Sequence, residues 1–334
     1  MPWSEIEGQE RAVRLVRRAL AKGELHHAYL VVGPEGVGKE LLSRLVAQAA
    51  NCESPETERP CGACVACTQI ARGVFPDVFW VRPQSELVAK GLVNKGDLET
   101  APSREIRVDE VRQLARRLAF ALVRGRRKVA IVSPAETLNE RAQNALLKTL
   151  EEPPPQTTFL LVTSAPDQLL ATVRSRCARL PLGPLADEVV ERKLLKQGVP
   201  PQEAKARAVA SLGSLAKALT FTAEALGERN ALRDQVRAAL REPDERLALD
   251  LAEEHAERDP ALAICDLWAA ELHDELVAYG DGAHEGTQPL EALRALDHLK
   301  VVREGLLQNG NPRLQLERLL LGLRELRGEG APRG

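Results

Sequence analysis

The 334-residue chain is long enough for two or three domains, and its 44% hydrophobic and 28% charged residues are those of a folded protein, not a disordered one. A formal net charge of −2 argues against a protein that coats nucleic acid by bulk attraction, although a local basic strip stays open. No apolar run approaches the 18 residues of a membrane span, and Met-Pro-Trp-Ser-Glu at the start lacks a basic region followed by an apolar one, so the expected setting is the cytoplasm.

Aromatics at 3% leave the core to Leu, Val and Ala. Five short apolar runs alternate with helical patterns over the first 185 residues: Ala28–Val32, Val78–Val81, Val129–Val132, Phe159–Thr163 and Ala178–Leu182. Continuous rather than alternating apolarity fits strands covered on both faces, which predicts an α/β domain with a parallel sheet between helices.

After the first run comes Gly33-Pro34-Glu35-Gly36-Val37-Gly38-Lys39, a P-loop pattern opening a helix over Glu40–Ala50. Backbone N–H groups of such a loop cradle phosphate at a helix N-terminus, and the lysine reaches the terminal phosphates. The next position, where a hydroxyl should hold Mg²⁺, is Glu40, a carboxylate that would repel those phosphates. Gly33, Gly36, Gly38 and Lys39 therefore leave two readings: nucleotide binding without turnover, or a vestigial loop kept for packing.

Cys52, Cys61, Cys64 and Cys67 form a C-x₈-C-x₂-C-x₂-C set before the second run. A CxxC pair grips a tetrahedral ion from one turn and two further thiolates close the shell, which predicts a structural zinc site without an open position. Cys177 and Cys265 stand alone and read as packed thiols. Residues from Gln84 to Arg104 are polar and without period, and read as a mobile surface loop.

A helix is expected over Val108–Val123, with Arg112 and Arg116 four apart on one face. With Arg117, Arg124, Arg126, Arg127 and Lys128 they make the densest basic stretch, read either as a solvated helix with a basic end or as a surface tracking DNA phosphates. In P-loop ATPases a later strand ends in an acidic pair for Mg²⁺ and water. Here Lys128–Val132 is followed by Ser133 and Pro134, and Glu136 lies too far along to substitute on an unchanged backbone. Losses at Glu40, Ser133 and Pro134 strike one chemical function, so no intrinsic ATP turnover is expected.

A helix from about Asn139 to Glu152 stops at three prolines, and Leu180-Pro-Leu-Gly-Pro184 marks a boundary. Three short helices follow at Asp187–Gln197, Pro201–Leu212 and Ser214–Leu226, then longer amphipathic helices to about Arg327, broken by Gly280–Gly286 and Asn309-Gly310, with a frayed end from Gly328.

With the P-loop, the cysteines, His27-Ala-Tyr-Leu30, Asn144-Ala-Leu-Leu-Lys-Thr-Leu-Glu-Glu-Pro-Pro154 and Leu169-Leu-Ala-Thr-Val-Arg-Ser-Arg-Cys177 in view, the chain resembles the clamp-loader subunits of bacterial DNA polymerase III, AAA+ family proteins, and among them the delta-prime branch. The likeness covers residues 1–185 and fades beyond. It implies an AAA+ P-loop domain over 1–184 with a zinc module at about 52–67, a three-helix lid over 185–227 and an all-α collar over 228–330. It further implies a bacterial, cytoplasmic subunit in a five-membered ring with gamma/tau and delta subunits, acting on a sliding clamp and primer–template DNA. ATP or ADP is then compatible but not required.

The motor members of that family carry a lid arginine where this chain has Ala216, which favours the non-hydrolysing branch. On its residues alone Arg176 is a solvated surface side chain. The resemblance makes it, in Ser175-Arg176-Cys177, an arginine finger reaching a neighbour's ATP, with Arg174 a nearby competitor. Two rival readings stand beside this one: a motor-type gamma/tau ATPase using Glu136 or another acid, and a stand-alone zinc-dependent DNA-binding protein.

Overall fold

Five strands form one parallel sheet in the order β2-β3-β4-β1-β5, where β1 is Ala28–Val32, β2 Val78–Val81, β3 Lys128–Val132, β4 Thr157–Thr163 and β5 Ala178–Pro181. Successive side chains of a strand point to opposite faces. Leu30, Val132, Phe159 and Leu161 accordingly enter one core, while Val31, Ile131, Leu160 and Val162 enter the other. Every residue of β3 and β4 is buried, which is why these strands read as unbroken apolar runs.

The computed structural model describes residues 2–97, 100–242, 244–280 and 289–328. The chain divides into two compact units, Met1–Leu219 and Thr220–Gly334. In the first, the helices are α1 (Glu10–Ala21), α2 (Lys39–Asn51), α3 (Val65–Ala71), α4 (Gln84–Ala89), α5 (Val108–Ala119), α6 (Glu140–Glu151), α7 (Ala171–Arg174), α8 (Asp187–Lys196), α9 (Pro201–Ala210) and α10 (Leu215–Thr220), the last ending at the division. One sheet face is covered from α1, α2 and α3, the other from α5 and α6. Val190, Leu194, Ala204, Ala208 and Ala218 give α8–α10 a small core of their own.

Among its described residues the second unit is helical: α11 (Ala223–Arg241), α12 (Arg246–Glu254), α13 (Arg258–Gly280), α14 (Pro289–Leu307) and α15 (Pro312–Gly328). They pack around Trp268, Ile264, Val302 and Leu319, and Cys265 is buried there as a plain packed thiol. The expected break at Gly280–Gly286 extends beyond Gly280 into residues outside those described, and so does the frayed end beyond Gly328.

Three expectations need correction. The stretch from Gln84 to Arg104 is not a bare loop: its start is α4, held by Gln84 accepting from the N–H of Ser103 and by the Glu86–Lys90 ion pair one helical turn apart. Helix α5 stops at Ala119, short of Val123, because buried Lys128 donates to the carbonyls of Leu118 and Phe120 and so caps the helix end. The expected helix Ser214–Leu226 is two, since Thr222 breaks it as an N-cap, its hydroxyl accepting from the N–H of Ala225.

Candidate functional site

The loop Gly33–Gly38 leaves the C-terminal end of β1, and Lys39 begins α2. Gly38 has φ 98° and Gly36 φ 78°, left-handed values that favour glycine. Gly33 donates to the carbonyl of Thr163 on the neighbouring strand. Gln9 ties the same end of the sheet to the boundary segment, exchanging bonds with both backbone groups of Gly183 at 2.7 and 3.2 Å.

Lys39 is buried, and its ammonium donates to the carbonyls of Gly33 at 2.8 Å and Pro34 at 2.6 Å, its own loop's backbone. Burial lowers its pKa, opposed by the charges of Glu136, Glu35 and Glu40. Above the loop lies the start of α10. A Cβ on Gly36 would stand 2.4 Å from the Ser214 hydroxyl and 2.8 Å from both the Cβ and the N of Ala216. The start of α10 therefore packs closely on the loop at Gly36.

The two positions where a P-loop ATPase would carry metal ligands touch one another. Ser133 donates its hydroxyl to Glu40 Oε1 at 2.6 Å, while Glu40 Oε2 pairs with Arg82 at 2.9 Å and Lys90 at 3.4 Å. Arg82 is 8% exposed, also pairs with Glu86, and lies over the Trp80 ring at 4.1 Å. Burial raises the pKa of Glu40, but the Ser133 bond and the charges of Arg82 and Lys90 outweigh it and hold the carboxyl below its ordinary value. The charge that would repel phosphate is thus neutralised by the protein itself. Sequence reasoning missed Arg82 and Lys90; the signal was there in the four-residue spacing of Arg82, Glu86 and Lys90.

The four cysteines converge as expected. Their sulfurs all lie within 4.8 Å of one another, Cys52 and Cys64 at 3.9 Å. A tetrahedral ion with bonds of about 2.3 Å needs sulfurs roughly 3.8 Å apart, so this donor set could hold a metal ion. Backbone N–H groups of Cys61, Ala63, Cys64 and Cys67 point at the sulfurs, and Gly62 (φ 77°) makes the turn. A hydrogen bond from Ser54 draws the Cys61 thiol down to about 6, whereas burial pushes Cys67 up. A coordinated cation overrides both by favouring every thiolate.

Arg176 lies apart from the loop, at the end of α7. Its guanidinium pairs with Glu151 at 2.5 Å and donates to the Thr172 carbonyl at 2.8 Å, while Arg174 pairs with Asp167. Arg112 and Arg116 are exposed on α5, Arg112 beside Asp109 at 3.4 Å. The rest of the basic stretch disperses: Arg117 stacks on Phe79, Arg124 pairs with Glu53, and Lys128 points inward.

The family model described as "DNA polymerase III, delta subunit" matches residues 8–186. The tau subunit of DNA polymerase III from Escherichia coli K12 is 34% identical over 75% of this chain and 37% of its own length. The delta' subunit from Pseudomonas aeruginosa is 36% identical over 54% of this chain and 50% of its own. The chain thus spans half or less of these relatives. A gamma subunit-related protein from Thermotoga maritima aligns over 95% of this chain and 99% of its own, with TM-score 0.43 and 19% identity. The family match takes in the phosphate loop, all four clustered cysteines and Arg176, and the chain belongs to the DNA polymerase III delta subunit family.

Proposed function

We propose that this chain is a non-hydrolysing, delta-prime-like subunit of the DNA polymerase III clamp loader, one that helps place a sliding clamp on primed DNA. The observation that carries this reading is the Ser133–Glu40 hydrogen bond: the two positions that would serve Mg²⁺ are bonded to each other, and Arg82 and Lys90 compensate the carboxylate.

In this reading Cys52, Cys61, Cys64 and Cys67 hold structural zinc, and gamma/tau and delta subunits complete a five-membered ring through the helical domain. Arg176 leaves Glu151 to reach the ATP of a neighbour, where a planar cation stabilises charge on the transferring phosphoryl group. Arg112 and Arg116 lie on an exposed helix face suited to DNA phosphates. The test is ATP hydrolysis by the loader reconstituted with clamp and primed DNA. The chain alone turns over no ATP, and Arg176→Ala lowers hydrolysis at the neighbouring site it serves by about 10³-fold or more, the lower end of arginine-finger effects. Magnesium–ATP consumed by the homogeneous chain overturns the reading.

One observation favours a motor of the gamma/tau kind. Glu136 Oε2 is buried without a hydrogen-bond partner, and the charge of Glu136 is felt at Lys39. If Glu136 polarises water, the purified chain hydrolyses ATP and Glu136→Gln abolishes it.

A further inference from the structure

A cleft of about 600 Å³ opens at the N-terminal ends of the strands, the opposite edge of the sheet from the phosphate loop. Its walls carry six arginines and one glutamate, Glu56, in a protein whose net charge is −2. Arg14, Arg17 and Arg18 come from one face of α1, where spacings of three and four bring side chains together. Arg59 comes from the turn that leads into the cysteine cluster, and Arg126 and Arg127 from the turn before β3.

These cations are not paired off. Among the described residues, no carboxylate forms an ion pair with Arg14, Arg17, Arg18 or Arg126. Arg59 meets Glu56 only at 3.8 Å, and its Nε donates to the Ser54 carbonyl. Arg127 is half-buried, yet its acceptors are neutral: the Thr158 hydroxyl at 2.7 Å and the Leu25 carbonyl at 3.1 Å. A partly desolvated guanidinium without a counter-charge is unfavourable, and burial presses its pKa down.

The backbone at three of these arginines is also held in place. Asn51 Oδ1 accepts from the N–H groups of Arg126 at 2.9 Å and Arg127 at 3.0 Å, and Trp3 donates to the Arg59 carbonyl at 2.8 Å. Guanidinium forks match phosphate oxygens in pairs. The volume is that of a small-molecule site. No aromatic side chain lines it, so it has no platform for stacked bases of a single strand.

We propose that this cleft binds a compact phosphate polyanion, inorganic polyphosphate or the phosphates of a nucleotide, at a site separate from the phosphate loop. Calorimetry on the full chain with inorganic tripolyphosphate, and in parallel with ATP without magnesium, tests it. Tripolyphosphate binds near 0.15 M salt, and Arg14→Glu with Arg126→Glu weakens it at least tenfold, whereas Arg246→Glu on the helical domain leaves it unchanged. Should the reversed pair fail to fold, Arg14→Gln with Arg126→Gln reads out the same loss, at about threefold or more. Tighter binding of ATP, lost in the same variants, marks the nucleotide as the source; equal or weaker binding marks the phosphate chain alone. Binding unchanged by these variants, no binding by the wild-type chain, or an oligo-dT strand that outcompetes tripolyphosphate overturns the proposal.

Discussion

Ser133 and Glu40 stand 93 residues apart in sequence and share a 2.6 Å hydrogen bond at the mouth of the phosphate loop. The relationship turns two substitutions that look like separate losses into one arrangement. Either change alone would leave a polar group facing a wrong partner; together they satisfy each other. A double-mutant cycle measures this. Ser133→Ala and Glu40→Gln are each expected to cost about 1–2 kcal/mol in urea unfolding, with a coupling of about 1 kcal/mol between them. Glu40 is 39% exposed, so water screens part of its pairing with Arg82 and Lys90. Its folded pKa lies below its ordinary value, so its contribution is fully present above about pH 4.5 and is lost as pH falls through the folded pKa. In Glu40→Gln that segment of acid sensitivity disappears.

Gly36 decides how close α10 comes to the loop. Its φ of 78° and the 2.4 Å separation of a would-be Cβ from the Ser214 hydroxyl both oppose any larger residue. Gly36→Ala is expected to cost about 2–3 kcal/mol, combining left-handed strain with overpacking. The readout that separates this from general damage is local: hydrogen exchange over residues 211–219 rises while the strands stay protected. Adding Ser214→Ala removes the nearest clash but leaves Ala216 at 2.8 Å, so recovery is partial.

Much of this was legible beforehand, and the reasons differ by element. The strands announced themselves because burial on both faces leaves continuous apolar runs such as Phe159–Val162. The cysteine cluster was readable because its spacing is itself a geometric constraint. Helix α4 was missed because six residues make too short a window for a period, and its stability comes from the ion pairs of Glu86 rather than from an apolar stripe. The basic stretch was only partly legible for a related reason. Linear density does not say which way side chains point: Lys128 turned inward as a helix cap, and Arg126 and Arg127 joined α1 arginines more than 100 residues earlier. The spacing of Arg82, Glu86 and Lys90 signals only their mutual pairing, whereas the reach of Arg82 to Glu40 depends on the order of strands in the sheet.

The cysteine cluster makes a prediction independent of any partner. Residues 52–67 have little apolar core beyond Cys52, Pro60, Ala66 and Cys67, so an ion held by the four cysteines would fix the turn between Pro55 and Cys64. The purified chain is expected to hold one zinc per molecule by elemental analysis. Cys64→Ser, which removes a thiolate ligand but leaves a hydroxyl that still caps α3, reduces zinc content and costs at least about 2 kcal/mol, seen as a fall in thermal midpoint of roughly 4–8 °C. The same fall on adding a strong chelator to the wild type assigns the effect to loss of the metal.

Asp77 holds the turn before β3 by a different means. It is 2% exposed, and its carboxylate accepts from the N–H groups of Val123 at 2.9 Å, Arg124 at 2.8 Å and Gly125 at 2.6 Å. Three backbone donors converging on one buried carboxylate make a substitution there expensive, because each donor left without an acceptor carries its own desolvation cost. Asp77→Ala is expected to destabilise by about 3 kcal/mol or more. Asp77→Asn retains one oxygen and turns the other into a donor facing N–H groups, so it recovers little. Gly125→Ala tests the same turn sterically, since its Cβ would stand 2.5 Å from Asn51 Oδ1 and 3.1 Å from Asp77 Oδ2. Because Asn51 also fixes Arg126 and Arg127, Gly125→Ala should weaken tripolyphosphate binding along with stability. A variant that lost stability but bound tripolyphosphate as the wild type does would mean that the turn supports the fold without positioning those arginines.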